Sequence, residues 1–181
     1  MRTKKQSLHV ISAIKYTILM SQSLKNFLLK HAPGKEVLKM RKDFALTVKA
    51  VIMKGDKFLV LKRSKKEIDS SLFNRKEAWD LPGGGVRFNE TAEHGLFREI
   101  HEETGIKISL KRILNAYDAI RSNIHMLILT YVCIYKEGEV ILSSEHDAYY
   151  WLTLDEMNER KLPEWMIRDF RIVYNDYYSK T

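Results

Sequence analysis

Runs of alternating or continuous apolar residues predict a series of β-strands through the central and C-terminal parts of the chain. Strands are predicted at residues 44–53 and 57–63, with a tight turn at Lys54-Gly55-Asp56 between them. The polar and charged segment 64–78 that follows is predicted to be a loop. Four more long runs and one short run have strand character, at residues 79–81, 106–110, 113–120, 125–135 and 149–152.

Three other segments have the spacing of helices. Ala92, Leu96 and Ile100 recur every four residues, so a helix over residues 91–104 would present one apolar face to the core. Thr91 is a suitable N-cap for this helix, and Gly105 is a suitable C-terminal stop. Residues 154–160 and 164–178 are also predicted to be helical. Strands mixed with a few helices in this order predict an α/β domain over residues 44–181, with a mixed sheet flanked by helices.

Residues 1–43 have a different composition and are predicted to form a separate, basic N-terminal extension. The first 35 residues contain seven lysines and arginines and no acidic residue, and their apolar positions approximate helical spacing until Pro33-Gly34. We expect one or two amphipathic helices that pack on the main domain or on a partner. A helix that binds a membrane surface or directs targeting is the alternative.

Composition narrows the class of protein without fixing its activity. The 181 residues are 45% hydrophobic, which is sufficient for a real core, and the net charge of +8 suits anionic partners such as nucleotides. Nucleic acid is a less favoured partner, and a solvated basic surface is the more ordinary explanation. The single cysteine, Cys133, lies in an apolar run and is expected to be a buried strand residue rather than a nucleophile. No apolar run approaches the ~20 residues of a membrane span, so a cytoplasmic protein is expected.

Clustered carboxylates on the predicted helix are the main chemical signal. Glu99, Glu102 and Glu103 have the spacing i, i+3 and i+4, which places them within an arc of about 100° on one helix face. A solvated acidic face is the usual meaning of such a cluster. Here a glycine turn precedes the helix, and three carboxylates this close repel one another unless a cation lies among them. Hard oxygen ligands suit Mg²⁺, and Mg²⁺ sites commonly act on phosphates.

The segment from Gly84 to Ile106 resembles the Nudix box, G-x5-E-x7-R-E-U-x-E-E-x-G-U, in which U is a bulky aliphatic residue. All nine specified positions match: Gly84, Glu90, Arg98, Glu99, Ile100, Glu102, Glu103, Gly105 and Ile106. The resemblance implies an α/β/α sandwich and a Mg²⁺ cofactor, with Mn²⁺ as a substitute. It also implies metal ligation by Glu99, Glu102, Glu103 and the carbonyl of Gly83.

The resemblance assigns supporting roles to further residues. Arg98 is expected to bridge Glu102 and Glu90 and so to hold the metal ligands in place, while Gly84 and Gly105 shape the two ends of the motif. The segment 143–147 resembles the loop that supplies an additional acid, which makes Glu145 a candidate metal ligand or general base. The identity of the general base stays open between Glu102 and Glu145.

Substrate-contacting residues are less sharply indicated. A common extended form of the motif has glutamate and glycine where this chain has Arg87 and Asn89. Asn89 can adopt the left-handed turn that glycine would supply, and Arg87 is a hypothetical phosphate contact with a surface arginine as an equal alternative. Trp79 and Phe88 are candidates to stack on a base, as is Tyr117, although core packing is the commoner role of aromatic residues. The basic cluster Lys62, Arg63, Lys65 and Lys66 is expected to belong to a solvated loop, with attraction of substrate phosphate as the alternative.

These features predict a Mg²⁺-dependent hydrolase that cleaves the pyrophosphate bond of a nucleoside diphosphate linked to another moiety. Nucleoside triphosphates, including oxidised ones, are mildly favoured as substrates. The alternative class is a non-catalytic module of the same fold that binds a nucleotide or a protein, and a lesser alternative is a pyrophosphohydrolase of RNA 5′ ends. Homodimerisation is left open.

Overall fold

The computed structural model describes residues 44–70, 77–121 and 124–178. The predicted helical extension, residues 1–43, lies outside this part of the chain. Six strands are present: β1 (Phe44–Lys54), β2 (Lys57–Arg63), β3 (Trp79–Asp80), β4 (Lys107–Arg121), β5 (Ile124–Glu137) and β6 (His146–Leu152). The helices are α1 (Lys65–Asp69), α2 (Ala92–Thr104), α3 (Leu154–Glu159) and α4 (Glu164–Tyr178).

The strands form a mixed sheet in the order β3-β2-β1-β5-β4, and β6 pairs with β2. Strands β1 and β5 are parallel from Phe44↔His125 to Met53↔Ile134, whereas the other pairs are antiparallel. Strand β2 stays beside β1 only near the hairpin turn. Farther along β1, the glycine segment after β3 takes that place, because the Val48 amide donates to the Gly84 carbonyl at 2.9 Å. The predicted site loop is thereby fixed to the centre of the sheet.

Helices cover both faces of the sheet, because β1 alternates between two separate apolar clusters. Val51 packs in a cluster with α3 and α4, around Phe58 and Phe170, whose ring centroids are 4.9 Å apart. Ala50 and the β1 residues two positions before and after it pack in the other cluster, together with the α2 residues Leu96 and Ile100. A strand buried on both faces is apolar at nearly every position, as the sequence shows. The predicted mixed sheet with flanking helices is confirmed for the described residues.

Three local predictions differ from the structure. The segment predicted as a loop begins with the short helix α1, which Ser64 caps by accepting a hydrogen bond from the Glu67 amide. The two strands predicted at 106–110 and 113–120 are one strand, β4, in which shifts of register against β5 accommodate the polar interruption. Strand β6 begins at His146, three residues before its predicted start.

Cys133 is fully buried, and burial raises the pKa of its thiol to about 12, so the prediction of a buried strand residue is confirmed. Within the described ranges, no helix has the length and apolarity required to traverse a bilayer.

Candidate active site

The glycine segment between β3 and α2 forms the floor of the site, and two of its residues leave no room for a side chain in the present arrangement. Gly83 has a φ of +124°, and a Cβ there would lie 2.2 Å from the Val48 carbonyl oxygen. A Cβ on Gly84 would lie 2.5 Å from a carboxylate oxygen of Glu99. The absence of side chains therefore lets this backbone lie against β1 on one side and against Glu99 on the other.

The turn into α2 and the two ends of the helix have the predicted local geometry. Asn89 adopts a φ of +66°, the left-handed conformation expected of it. The Thr91 hydroxyl accepts a hydrogen bond from the His94 amide at 3.2 Å, and Gly105 ends the helix with a φ of +69°. These local features fix where α2 begins and ends, and so fix which way its acidic residues face.

Arg98 is the centre of an ion-pair network on the solvent side of α2. Its Nε and one terminal nitrogen donate to the two carboxylate oxygens of Glu90 at 2.9 and 2.8 Å. The other terminal nitrogen donates to Glu99 at 2.5 Å and to Glu102 at 3.1 Å. Arg98 holds the pKa of Glu90 down at about 2, and these carboxylates in turn raise the pKa of Arg98. The contacts expected of Arg98 are present, and they are charge-assisted hydrogen bonds that hold the three carboxylates in place.

Glu102 lies toward solvent and is shared between two arginines. In addition to its contact with Arg98, it accepts a hydrogen bond from Arg87 at 3.3 Å. Arg87 itself is exposed and contacts Glu102 rather than the interior of the site. The structure thus brings Arg87 next to the acidic cluster and leaves its guanidinium facing water.

Glu103 lies on the opposite, buried side of α2, and only 5% of it is exposed. The Gly83 amide donates to its Oε2 at 2.7 Å. Burial raises the pKa of Glu103 to about 8, an effect that nearby Lys49 and the Gly83 amide oppose only in part. A buried carboxyl group with this raised pKa would gain from a nearby cation.

Lys49, on β1, is a site residue that the sequence did not identify. Its ammonium group donates to the carbonyls of Gly83 at 2.5 Å and Leu81 at 3.0 Å, and to the Asp80 carboxylate at 3.1 Å. These contacts engage all three donors of the ammonium group. Lys49 therefore places a positive charge at the carbonyl that the motif assigns to metal binding.

A cavity of about 1080 Å³ connects these groups to the outer part of the sheet. Its acidic end is lined by Gly83, Glu99, Glu103 and Glu145, and Lys49 lies among them. Its other end is lined by residues of β4, β5 and α4, among them Asn115, Tyr117, Met126, Ile128 and Asp169. One cavity thus combines a cluster of oxygen donors with a partly apolar chamber.

Glu145 and His146, at the start of β6, close the acidic end of the cavity. Burial and the neighbouring carboxylates, first Glu67 and then Glu99, raise the pKa of Glu145. His146 is buried, and burial lowers the pKa of its imidazole. Glu145 therefore lies in the cavity wall, near the carboxylates of the acidic end.

The remaining candidate residues divide between the cavity wall and other locations. Tyr117 lines the cavity, and so does Arg63, which is buried and donates to the Glu67 carbonyl at 2.9 Å. The expectation that Arg63 belongs to a solvated loop is wrong, because it is the last residue of β2 and faces inward. Trp79 instead packs edge-on against Tyr150 in the core, with ring centroids 5.7 Å apart. Phe88 is 96% exposed on the turn before α2 and is not part of the cavity wall.

The oxygen donors at the acidic end of the cavity have the chemistry of a divalent-cation site, although their present positions do not form one. In the part of the chain that the structure describes, no three acidic, histidine or cysteine side chains converge as a metal-binding group. Arg98 forms hydrogen bonds with Glu99 and Glu102, and the Lys49 ammonium group donates a hydrogen bond to the Gly83 carbonyl. However, the acidic end of the cavity gathers several hard oxygen donors, and burial disfavours the charged form of Glu103. Those two properties suit Mg²⁺ or Mn²⁺.

Lys49, Asp80, Asn115, Trp165 and Asp169 are among the cavity residues that sequence reasoning missed. Lys49 carried a usable signal, because it is a charged residue within the otherwise apolar run of β1, where a buried partner is required. Asp169 carried a similar signal on the apolar face of α4. The other three had no local signal, since their neighbours in the cavity are distant in sequence.

Comparison with known proteins identifies the family. A model of the NUDIX domain matches residues 43–173 of the chain. The MutT-like protein of Streptomyces ambofaciens is 38% identical over 90 residues, which cover 50% of this chain and 57% of that relative. The chain therefore spans little more than half the length of that relative. The 8-oxo-dGTP diphosphatase of Buchnera aphidicola subsp. Schizaphis graminum is 30% identical over 113 residues, which cover 62% of this chain and 80% of the relative.

A solved structure shows the same fold. The crystal structure of a MutT protein from Methanosarcina mazei Go1 aligns with a TM-score of 0.60 at 29% identity. The alignment covers 76% of this chain and 96% of that protein.

Proposed function

The chain belongs to the NUDIX domain family, and on that basis we propose that it is a Mg²⁺-dependent hydrolase of nucleoside diphosphates linked to another moiety. Nucleoside triphosphates are the favoured substrates. The observation that carries the proposal is the cavity, which joins buried oxygen donors at one end to a chamber of nucleoside-compatible size at the other. The name of the Buchnera relative, an 8-oxo-dGTP diphosphatase, supports the triphosphate preference and includes an oxidised nucleotide.

The metal-binding part of the proposal involves four groups. Glu99, Glu103 and the Gly83 carbonyl would hold the cation inside the cavity, and Glu102 would join them from the solvent side. A bound Mg²⁺ supplies Lewis-acid polarisation of the phosphoryl oxygens and lowers the pKa of water. Lys49 contributes a fixed positive charge at the same end of the cavity, which suits the anionic pyrophosphate of the substrate.

Glu145 is proposed as the proton acceptor for the attacking water. It lines the cavity and its pKa is raised, whereas Glu102 is turned toward two arginines outside the cavity wall. A carboxylate with a raised pKa is a better base near neutral pH than an ordinary one. Water adds to a phosphorus of the bridge, its proton passes to Glu145, and the P–O bond of the bridge breaks to give two phosphorylated products. From a nucleoside triphosphate these are the monophosphate and pyrophosphate.

A panel of nucleotides tests this proposal. Nucleoside triphosphates, sugar nucleotides and a 5′-triphosphorylated RNA are incubated with the full chain in Mg²⁺, in Mn²⁺ and in EDTA. We expect pyrophosphate and a nucleoside monophosphate from triphosphates, and no turnover in EDTA. Activity that survives complete metal removal contradicts the metal-dependent reaction.

Two substitutions test which glutamate is the proton acceptor. We expect Glu145→Gln to lower kcat by at least about 10²-fold with little change in KM, because a proton acceptor is lost. Glu102→Gln tests the competing assignment with the same predicted magnitude, and the larger of the two kcat effects identifies the base. Glu93→Gln, in the first turn of α2 and away from the cavity wall, serves as the matched control.

A non-catalytic nucleotide-binding module is the second candidate function. It is favoured by the ion pairs that hold Glu99 and Glu102 on Arg98 rather than in a common metal-binding group. Micromolar nucleotide binding without turnover in Mg²⁺ or Mn²⁺, across several pH values, would establish that alternative. Turnover at rates that depend on Glu103 and Glu145 would exclude it.

A further inference from the structure

The carbonyl groups of the glycine segment have two kinds of partner. Backbone amides of β1 donate to the carbonyls of Pro82 and Gly84, each at 2.9 Å. The carbonyls of Leu81 and Gly83 instead accept hydrogen bonds from the side-chain ammonium group of Lys49, at 3.0 and 2.5 Å. Leu81 and Gly83 are buried, and a buried carbonyl requires a donor. The side chain of Lys49 thus does for these two carbonyls what the β1 backbone does for the other two.

The ammonium group of Lys49 is surrounded by oxygen atoms in a largely desolvated place. Besides the two carbonyls, it donates to the Asp80 carboxylate at 3.1 Å. Only 14% of the Lys49 side chain and 10% of the Asp80 side chain are exposed. A charge with so little access to water is stabilised by the oxygen atoms around it, as a bound metal ion would be. Lys49 is therefore equivalent to a cation in an oxygen-lined site, attached to β1 by its own side chain.

This ammonium group lies among the groups that the proposed function assigns to the metal. Lys49, Glu103 and Glu145 line the same end of the cavity. Gly83 connects two of them, because its carbonyl accepts from Lys49 while its amide donates to Glu103 at 2.7 Å. Burial raises the pKa of both glutamates, and the charge of Lys49 opposes that rise. Lys49 and a divalent cation would therefore compensate the same negative charge.

Lys49 and a metal ion would also compete for the Gly83 carbonyl. A carbonyl oxygen has two lone pairs, so the competition is electrostatic rather than steric. Mg²⁺ binds its oxygen ligands at about 2.0–2.1 Å, and an ammonium group on the same oxygen would be a close neighbour of the ion. Two positive charges this close repel each other strongly where water is scarce. Simultaneous binding of both to this oxygen would therefore lower the affinity for the metal.

We propose that Lys49 is a tethered cation that binds the Gly83 carbonyl until a divalent cation displaces its ammonium group. The inference rests on the metal site of the proposed function and adds a residue that weakens that site. The displaced ammonium group keeps Asp80 and the Leu81 carbonyl as partners, so only the contact with Gly83 is exchanged. Lys49 thus stabilises the metal-free protein and raises the concentration of divalent cation that is needed to fill the site.

The simpler explanation is that Lys49 only ties β1 to the glycine segment. Lys49→Met keeps an unbranched apolar side chain and removes the charge. With a purely structural role, this variant should lose both stability and metal affinity, because the Gly83 carbonyl is no longer held in place. With a tethered cation, the variant should lose stability without metal but gain metal affinity. The sign of the change in affinity therefore separates the two explanations.

The test measures Mn²⁺ binding by the full chain, without nucleotide, by isothermal titration calorimetry. We expect Lys49→Met to bind Mn²⁺ at least about 10-fold more tightly than the wild type, because a like charge leaves the site. Scanning calorimetry in EDTA should show a lower melting temperature for the same variant. Lys111→Met is the matched control, because Lys111 is exposed on β4 outside the cavity wall and its loss changes the net charge equally. Its Mn²⁺ affinity should match that of the wild type.

Two double variants show where a gain in affinity arises. Lys49→Met removes the ammonium group from the Asp80 carboxylate, whose charge could then attract the metal ion by itself. Lys49→Met with Asp80→Asn keeps the net charge of the site and still releases the Gly83 carbonyl. We expect this double variant to bind Mn²⁺ at least about 3-fold more tightly than the wild type, because repulsion at that carbonyl is gone. Lys49→Met with Glu103→Gln should lose the gain, since a ligand of the same site is removed.

An Mn²⁺ affinity that does not rise in Lys49→Met overturns the inference. A gain that disappears with Asp80→Asn, or that persists with Glu103→Gln, overturns it as well. The nucleotide panel separates this result from the proposed function. Tighter Mn²⁺ binding in Lys49→Met without turnover of triphosphates by any form of the chain supports the tethered cation and contradicts the hydrolase. Metal-dependent turnover with an Mn²⁺ affinity that does not depend on Lys49 does the reverse.

Discussion

The two sides of helix α2 hold the same kind of side chain in opposite electrostatic states. On the side where Arg98 lies, Glu90 of the turn that precedes the helix has a pKa of about 2, and on the buried side Glu103 has a pKa of about 8. Glu90 accepts two hydrogen bonds from one edge of the Arg98 guanidinium, whereas Glu103 receives one backbone amide and the more distant charge of Lys49. The place of a glutamate in the sequence motif therefore does not set its charge. Its charge depends on burial and on the groups that bind its carboxylate.

This difference separates a supporting region from a reactive one. Within the Arg98 network, Glu90 pairs with the guanidinium through both carboxylate oxygens, so it has no need of a ligand. Glu103 lies in a desolvated place where its carboxylate form is disfavoured until more positive charge arrives. We infer that the buried side is where a cation and phosphates would have the largest effect, while the solvent side keeps the glutamates in position.

Glu103→Gln is expected to give the largest effect and tests the reactive side. Loss of a metal ligand should lower kcat/KM at least about 10³-fold, since Lewis-acid stabilisation contributes several kcal/mol. Without divalent ions the melting temperature should stay close to that of the wild type, because glutamine resembles the protonated acid. The rise of Tm on addition of Mg²⁺, measured by scanning calorimetry, should shrink. A variant with full activity and an unchanged Mg²⁺ response would show that the buried side of α2 is no more important for activity than the solvent side.

Arg98→Lys tests the supporting side. A lysine keeps the positive charge but cannot bind Glu90 through two parallel hydrogen bonds while also holding Glu99 and Glu102. We expect kcat to fall by about 10–100-fold, as is typical for residues that orient metal ligands. Activity measured over a range of Mg²⁺ concentrations should show a weaker apparent metal affinity. Wild-type kinetics in this variant would show that charge alone is sufficient.

Glu90→Gln sharpens the comparison through pH dependence. The pKa of Glu90 is lowered from 4.5 to about 2 in the folded protein, so its contribution to stability is complete above the unfolded pKa. That contribution is lost as the pH falls from about 5 toward 2. The variant should therefore be less stable at neutral pH and lose less stability on acidification. Urea unfolding at several pH values measures both, with Glu93→Gln as the control.

Arg87→Glu is expected to have the smallest effect on stability, because its pair with Glu102 is exposed. Such surface pairs contribute about 0–1 kcal/mol, so the melting temperature should change by only a few degrees. If Arg87 contacts a substrate phosphate, charge reversal should raise KM several-fold. An unchanged KM would remove Arg87 from the binding site and leave it with the exposed part of the network.

Features that depend on neighbouring residues were predictable. The hairpin turn at Gly55, the left-handed Asn89, the Thr91 cap and the end of α2 at Gly105 all follow from the conformational preferences of single residues. The strands and helices follow from apolar periodicity. Predictions failed at Lys65–Asp69, where polarity masked a short helix, and in β4, where bulges continued the strand through a polar interruption.

The sequence alone determined the elements, the glycine segment and the set of acidic residues, because each is encoded within about twenty consecutive positions. It did not determine which glutamate is buried, that Lys49 engages the Gly83 carbonyl, or that Trp79 packs in the core. It also did not bring Asn115 to Asp169, which lie 54 positions apart. Those relations were decided by the tertiary structure, because burial, pKa and contact between distant residues arise only when the sheet and helices pack together.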